Sequence, residues 1–207
     1  MKNVRVFYDK VGDIKYISHL DMNRVFLRII RRSGIPVWYT VGFNPHPRIM
    51  FALPLSLGFE STSEIIDIRL EDDDIPCEQV AKMLADVMPE GLKVKYAADP
   101  IMKAGDIAYA RFEIDTLGLP ELTDYFNQEQ IITMKRSKSG TKPTDIKPMI
   151  KEYKIDGDKL ILTLSAGAVN LNPNLVIATA EEYCGAQIKV KNILRTDVYN
   201  ASMESFK

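Results

Sequence analysis

The sequence is poor in the residues that usually declare a chemistry. It has two cysteines, Cys77 and Cys184, far apart and each alone, and only two histidines, His19 and His46. A disulfide framework, a zinc ribbon or an iron–sulfur site needs clustered ligands, so none of these is expected, and no protein-held metal or cofactor is predicted. There is no Walker loop, G-x-G-x-x-G, G-x-S-x-G or H-E-x-x-H motif. No apolar run approaches the length of a membrane span. Met1 to Lys10 alternates polar and apolar residues, unlike a signal peptide. The expectation is a soluble cytoplasmic protein with no membrane partner. Whether it is an enzyme is open, with the absences leaning against catalysis.

An excess of charge of one sign is also lacking. The 27 Lys and Arg nearly balance the 28 Asp and Glu, giving a net charge of −1. That excludes a basic-tail nucleic-acid binder but not a local basic patch. The balance hides segregation. Residues 1–50 carry nine cationic against three anionic side chains, residues 51–100 four against eleven, and residues 131–154 seven against two. The run Glu71-Asp72-Asp73-Asp74 precedes a predicted helix, where negative charge suits the helix dipole.

With 207 residues and 46% hydrophobic composition the chain can bury an ordinary core. Val4, Val6 and Tyr8 alternate with Arg5 and Phe7, a half-buried strand. Ser18 caps a helix with Asp21 three residues on, and Gly34 and Pro36 stop it. Strands are predicted over 36–41, 49–57 and 63–70, a helix over 76–88 and a strand over 92–96. This order, β-α-β-β-α-β, is that of the ferredoxin-like fold. A looser copy follows: strands over 109–114 and 131–136 flank a short helix, 137–144 is a basic loop, a hairpin turns at Asp156-Gly157-Asp158, and a helix capped by Asn172 precedes a last strand over 188–194. The expected class is α+β, two tandem ferredoxin-like domains with antiparallel sheets, at 1–99 and 106–200.

The first helix carries the sharpest signal. At about 100° per residue, Leu20, Val25, Phe26, Leu27, Ile29 and Ile30 span an apolar arc, while Arg24, Arg28, Arg31 and Arg32 gather opposite. Like charges at this spacing repel, so such a stripe suits an anionic ligand. Arginine grips phosphate or carboxylate in a planar, bidentate manner. The alternatives are a simply solvated face or pairing with the acidic 60–74 segment. The loop that follows holds Phe43, Asn44, His46 and Arg48 between prolines, a set that suits unpaired bases and phosphates. Trp38 is read as a core residue more readily than as a stacking platform. Lys135, Arg136 and Lys138 form a second candidate anion contact, with simple loop flexibility as the alternative.

Three functions compete. The leading one is a non-catalytic RNA-binding module for tRNA or rRNA. The second is a metal-independent endoribonuclease using His19, although a lone histidine without a nucleophile partner is more often structural. The third is a protein–protein adaptor. Glu60, Glu64 and Asp67 could hold Mg²⁺ only weakly as a site, since residues 64 and 67 point to opposite faces of a strand.

The ordered set Lys15-Tyr16-Ile17-Ser18-His19-Leu20-Asp21, Arg31-Arg32-Ser33-Gly34-Ile35-Pro36, Gly42-Phe43-Asn44-Pro45-His46-Pro47 and Phe51-Ala52-Leu53-Pro54-Leu55 resembles the bacterial radical-SAM-linked protein family, a domain of unknown function. The resemblance implies an accessory role near RNA or the ribosome and a radical SAM protein as partner. The chain lacks C-x-x-x-C-x-x-C, so any radical SAM cluster would belong to that partner. A fainter similarity is to CRISPR repeat-processing RNA endonucleases, which implies tandem ferredoxin-like domains and gives a catalytic role only to His19.

Overall fold

The computed structural model describes residues 1–137 and 140–207, with side chains at all of these except 135–137 and 141. It divides into two compact units, residues 1–104 together with Lys207, and residues 105–206.

The first unit contains β1 (Asn3–Lys10), α1 (His19–Ser33), β2 (Ile49–Phe51), β3 (Glu60–Arg69), α2 (Cys77–Ala85) and β4 (Leu92–Ala98). Its strands lie in the order β4-β1-β3-β2, every neighbour antiparallel. The alternation along β1 decides its two faces. Val4, Val6 and Tyr8 join Ile66 and Ile68 of β3 and Met22, Phe26, Ile29 and Ile30 of α1 in one buried core. On the other face Phe7 stacks on Tyr96, its register partner in β4, at 4.4 Å.

That other face also holds a buried arginine. Arg5 is 1% exposed. Its Nε and Nη2 donate to the two carboxylate oxygens of Asp67, its β3 register partner, at 2.7 and 2.8 Å. Its Nη1 donates to the carbonyls of Met102 and Lys207, each at 2.8 Å. A bidentate pair with its spare donors satisfied is the form in which a buried charge is tolerated.

α1 starts as its sequence dictates. Ser18 Oγ accepts from the Asp21 backbone N–H at 3.2 Å and donates to the Asp21 carboxylate at 2.7 Å, and Gly34 ends the helix at φ 69°. Leu20, expected on the core arc, is exposed, and Met22 takes the buried position in the first turn. A 3-10 segment over Gly12–Tyr16, which no periodicity signals, connects β1 to α1. Gly91 braces this connection. It has φ +84°, its carbonyl accepts from Val11 N–H at 2.9 Å, and a Cβ there would stand 2.6 Å from the Val11 oxygen.

Two expected strands are reduced. Residues 36–41 make only the isolated bridges Val37↔Leu70 and Tyr39↔Pro47, and the strand expected over 49–57 stops at Phe51. Prolines at 36, 47 and 54 remove the N–H donors that a continuing ladder needs. α2 closes earlier than expected because its last turn tightens, Val87 N–H reaching Leu84 O and Met88 N–H reaching Ala85 O, ahead of Pro89.

The second unit contains β5 (Ile107–Thr116), α3 (Thr123–Asn127), β6 (Ile132–Ser137), β7 (Gly140–Asp145), β8 (Ile150–Asp156), β9 (Lys159–Ser165), α4 (Pro173–Cys184) and β10 (Val190–Asn200). Its sheet runs β10-β5-β9-β8, all antiparallel, and β6 pairs β7 as a separate ribbon. Its second strand takes residues 140–144 out of the basic loop expected over 137–144, of which 138 and 139 lie outside the described residues. Pro143 is tolerated there because a two-stranded ribbon leaves one edge of each strand unpaired. At its base Ile131 N–H donates to the Asp145 carboxylate at 2.9 Å. The Asn172 side chain caps α4 at the Asn174 N–H, 2.9 Å, and the helix ends on Gly185 at φ 65°. Under α4 the buried Tyr125 hydroxyl lies 2.9 Å from Thr179 Oγ1 and 3.3 Å from the Val176 carbonyl.

Among the described residues the chain thus has four α-helices and otherwise mainly antiparallel strands, a mixed α/β architecture. No helix among them is long and apolar enough to cross a membrane.

Candidate nucleic-acid interface

The apolar arc of α1 is consumed by the core, which turns the opposite arc to solvent. Arg24, Arg28, Arg31 and Arg32 are all exposed. Arg24 is answered from within the helix, its Nη1 lying 2.8 Å from the Asp21 carboxylate. The Ser18 hydroxyl and then Arg24 hold the Asp21 carboxyl below the ordinary aspartate range. Arg28, Arg31 and Arg32 have no ion pair among the described residues. Three carboxylates of the acidic 60–74 segment are spent elsewhere: Glu60 on Lys15, Asp67 on Arg5, and Asp73 on the Met1 amino group. Arg28 and Arg32 also border a groove of about 500 Å³ with Val25, Ile29 and Val87, and Asp13 and Glu90 line it too.

The second group expected at the site lies on the loop between α1 and β2. Phe43 and Val41 are fully exposed at its tip, and Asn44, His46 and Arg48 are exposed as well. The loop folds back on itself through Thr40 N–H to His46 O at 2.9 Å. His46 Nδ1 lies 3.1 Å from both Thr40 Oγ1 and the Asn44 carbonyl.

These two groups do not form one surface. α1 covers the sheet face of Ile66 and Ile68. Asp67 and Arg69 alternate to the other face, and they line a pocket of about 340 Å³ with His46 and Arg48. The helix arginines and the loop residues His46 and Arg48 are therefore divided between the two faces of the sheet.

Arg69 is a site residue that sequence reasoning missed. Its guanidinium stacks over the half-buried ring of Trp38 at 5.2 Å, so Trp38 serves as a platform for a cation at the core's edge. No local pattern marks it, because Trp38 and Arg69 meet only through long-range pairing: Trp38 N–H to Arg69 O, 2.9 Å.

His19 is exposed, edge-on to Phe51 at 5.1 Å, with its Nε2 3.2 Å from the Asn23 amide nitrogen. It borders a cavity of only about 10 Å³ with Tyr8, Lys10 and Glu64. Glu64 in that cavity and Asp67 beneath Arg5 lie on opposite faces of β3, which separates the carboxylates considered for Mg²⁺. Of the second anion candidate, Lys138 lies outside the described residues, and Lys135 and Arg136 fall on β6 with their side chains outside the description.

Comparison with curated proteins gives no match. A family model described as an uncharacterized protein conserved in bacteria (DUF2344) matches residues 3–182, a description that carries no activity and no radical SAM link. With most of its length matched, the chain belongs to this bacterial family.

Proposed function

We propose that the chain is a non-catalytic RNA-binding module whose first unit grips the phosphate backbone through Arg28, Arg31 and Arg32. The observation that carries this reading is that these three exposed guanidiniums have no ion pair among the described residues, although the chain has carboxylates to spare. Unlike Arg24, each is available to an outside anion. Phe43, exposed at a loop tip framed by Pro45 and Pro47, supplies a face on which an unpaired base can stack, worth about 1–3 kcal/mol per base. We further propose that each unit is ferredoxin-like, supported by the matching strand orders β4-β1-β3-β2 and β10-β5-β9-β8. The proposed RNA is tRNA or rRNA, and the proposed partner is a radical SAM or RNA-processing protein, on the sequence resemblance alone.

The test is filter binding to bulk tRNA and rRNA across a salt series. Each phosphate neutralised contributes about −0.7 to −0.9 to the slope of log K against log salt. Replacing Arg28, Arg31 and Arg32 together by Gln should lower the slope magnitude by about 2, while Arg24→Gln should change it little. An affinity that is absent, insensitive to salt, or unchanged in the triple variant overturns the reading.

A further inference from the structure

The pocket on the sheet face turned away from α1 is built more firmly than a chance depression. Three backbone hydrogen bonds lock its two arginines: Trp38 N–H to Arg69 O at 2.9 Å, Arg48 N–H to Trp38 O at 3.0 Å, and Arg69 N–H to Arg48 O at 3.0 Å. Stacking on Trp38 then restricts the Arg69 side chain before any ligand arrives. A guanidinium held this way loses less freedom on binding than a free one.

The electrostatics single out the charge of the ligand. Arg48, Arg69, His46, Asn3, Met50 and Asp67 are among the lining residues. Asp67 is the one carboxylate in this set, and both its oxygens are committed to Arg5 at 2.7 and 2.8 Å. The pocket therefore presents two guanidiniums whose charge no ion pair among the described residues answers. His46 faces it with Nδ1 already engaged by Thr40 and Asn44, which leaves Nε2 as the ring's remaining polar atom.

We infer that this pocket binds a terminal phosphomonoester, with Arg48 and Arg69 on the phosphate and the Met50 side chain against the attached nucleoside. A phosphomonoester carries nearly two negative charges at neutral pH, matching the two guanidiniums, whereas an internal phosphodiester carries one. The volume of about 340 Å³ accommodates one nucleotide. The inference deepens the RNA reading, on which it rests for what carries the phosphate: an RNA end or a free nucleotide offers the same group.

The test is calorimetric titration of the full chain with AMP, adenosine, and a short RNA bearing either a 5′-phosphate or a 5′-hydroxyl. AMP and the phosphorylated RNA should bind and adenosine should not. Arg48→Gln and Arg69→Gln should each weaken phosphate-dependent binding by about tenfold or more, as expected for a lost charged hydrogen bond, while the surface change Lys82→Gln should not. Preference for the phosphorylated RNA over AMP assigns the ligand to an RNA end, and equal affinity assigns it to a free nucleotide. Because Arg48 is exposed, its variant tests the site even if Arg69→Gln fails to fold. No gain from the 5′-phosphate together with no AMP binding overturns the inference, as does phosphate-dependent binding that survives in folded Arg48→Gln. RNA retained on filters with neither AMP binding nor a gain from the 5′-phosphate removes the pocket and leaves the helix surface standing, and phosphate-dependent binding that persists when Arg28, Arg31 and Arg32 are replaced does the opposite.

Discussion

Replacing Arg5 by Met should be among the most damaging single changes in the first unit. The substitution keeps an apolar stem but strips four hydrogen bonds, two to the Asp67 carboxylate and one each to the carbonyls of Met102 and Lys207. Removing one member of a buried ion pair costs about 3–5 kcal/mol, because the other charge stays behind without compensation. The Asp67 side chain is 12% exposed, so water reaches part of it and the lower figure, about 3 kcal/mol, is the better expectation. Trp38 is the chain's single tryptophan and belongs to this unit, so its fluorescence reports unfolding there. At a urea m value of about 1.5 kcal/mol/M the midpoint should fall by about 2 M. The double variant Arg5→Met/Asp67→Leu should recover most of the loss, since it removes both charges at once. A midpoint within a few tenths of a molar of wild type in Arg5→Met, or a double variant no more stable than the single one, would refute the reasoning.

Further outcomes follow from the same structure. Ser18→Ala removes the α1 cap and should cost about 1 kcal/mol in urea unfolding. It should also move the Asp21 carboxyl back up toward its ordinary value in an NMR titration, since the Ser18 hydroxyl is the main cause of the lowering. The sign for stability is that of a depressed acid: the Asp21 contribution is present above the ordinary aspartate value of about 3.9 and is lost as the pH falls through the lowered one. Gly91→Ala puts a Cβ 2.6 Å from the Val11 oxygen at φ +84° and should destabilise the first unit by about 1–3 kcal/mol or more, read by thermal unfolding. Tyr125→Phe leaves Thr179 Oγ1 with only its helix carbonyls and should cost about 1 kcal/mol in the second unit, read by hydrogen exchange in α4.

Much of the local structure was legible because its causes are local. The Ser18 cap, the Gly34 stop, the Asp156-Gly157-Asp158 turn and the Asn172-Pro173 start each act within a few residues. The arginine stripe was equally readable, since helical spacing alone separates it from Phe26, Ile29 and Ile30. What escaped depends on long-range pairing. Nothing near Arg5 announces Asp67, and nothing near Trp38 announces Arg69. Alternation along β3 sends Asp67 and Arg69 away from α1, a division that no reading of the loop or helix by itself could supply. The strand over 140–145 escaped for a different reason: Gly140, Lys142 and Pro143 are loop-like in composition, yet cross-strand pairing with 132–137 holds it extended.

The contact of Arg5 with the Lys207 carbonyl has a consequence for synthesis. Residue 207 belongs to the first unit although 105–206 form the second, so the first unit is assembled from segments separated by about a hundred residues of chain. While a ribosome is still extruding the intervening hundred or so residues, one donor of a guanidinium destined for the interior lacks its final acceptor. The nascent chain can pair Arg5 with Asp67 early, but the seal over that pair waits until residue 207 has been added.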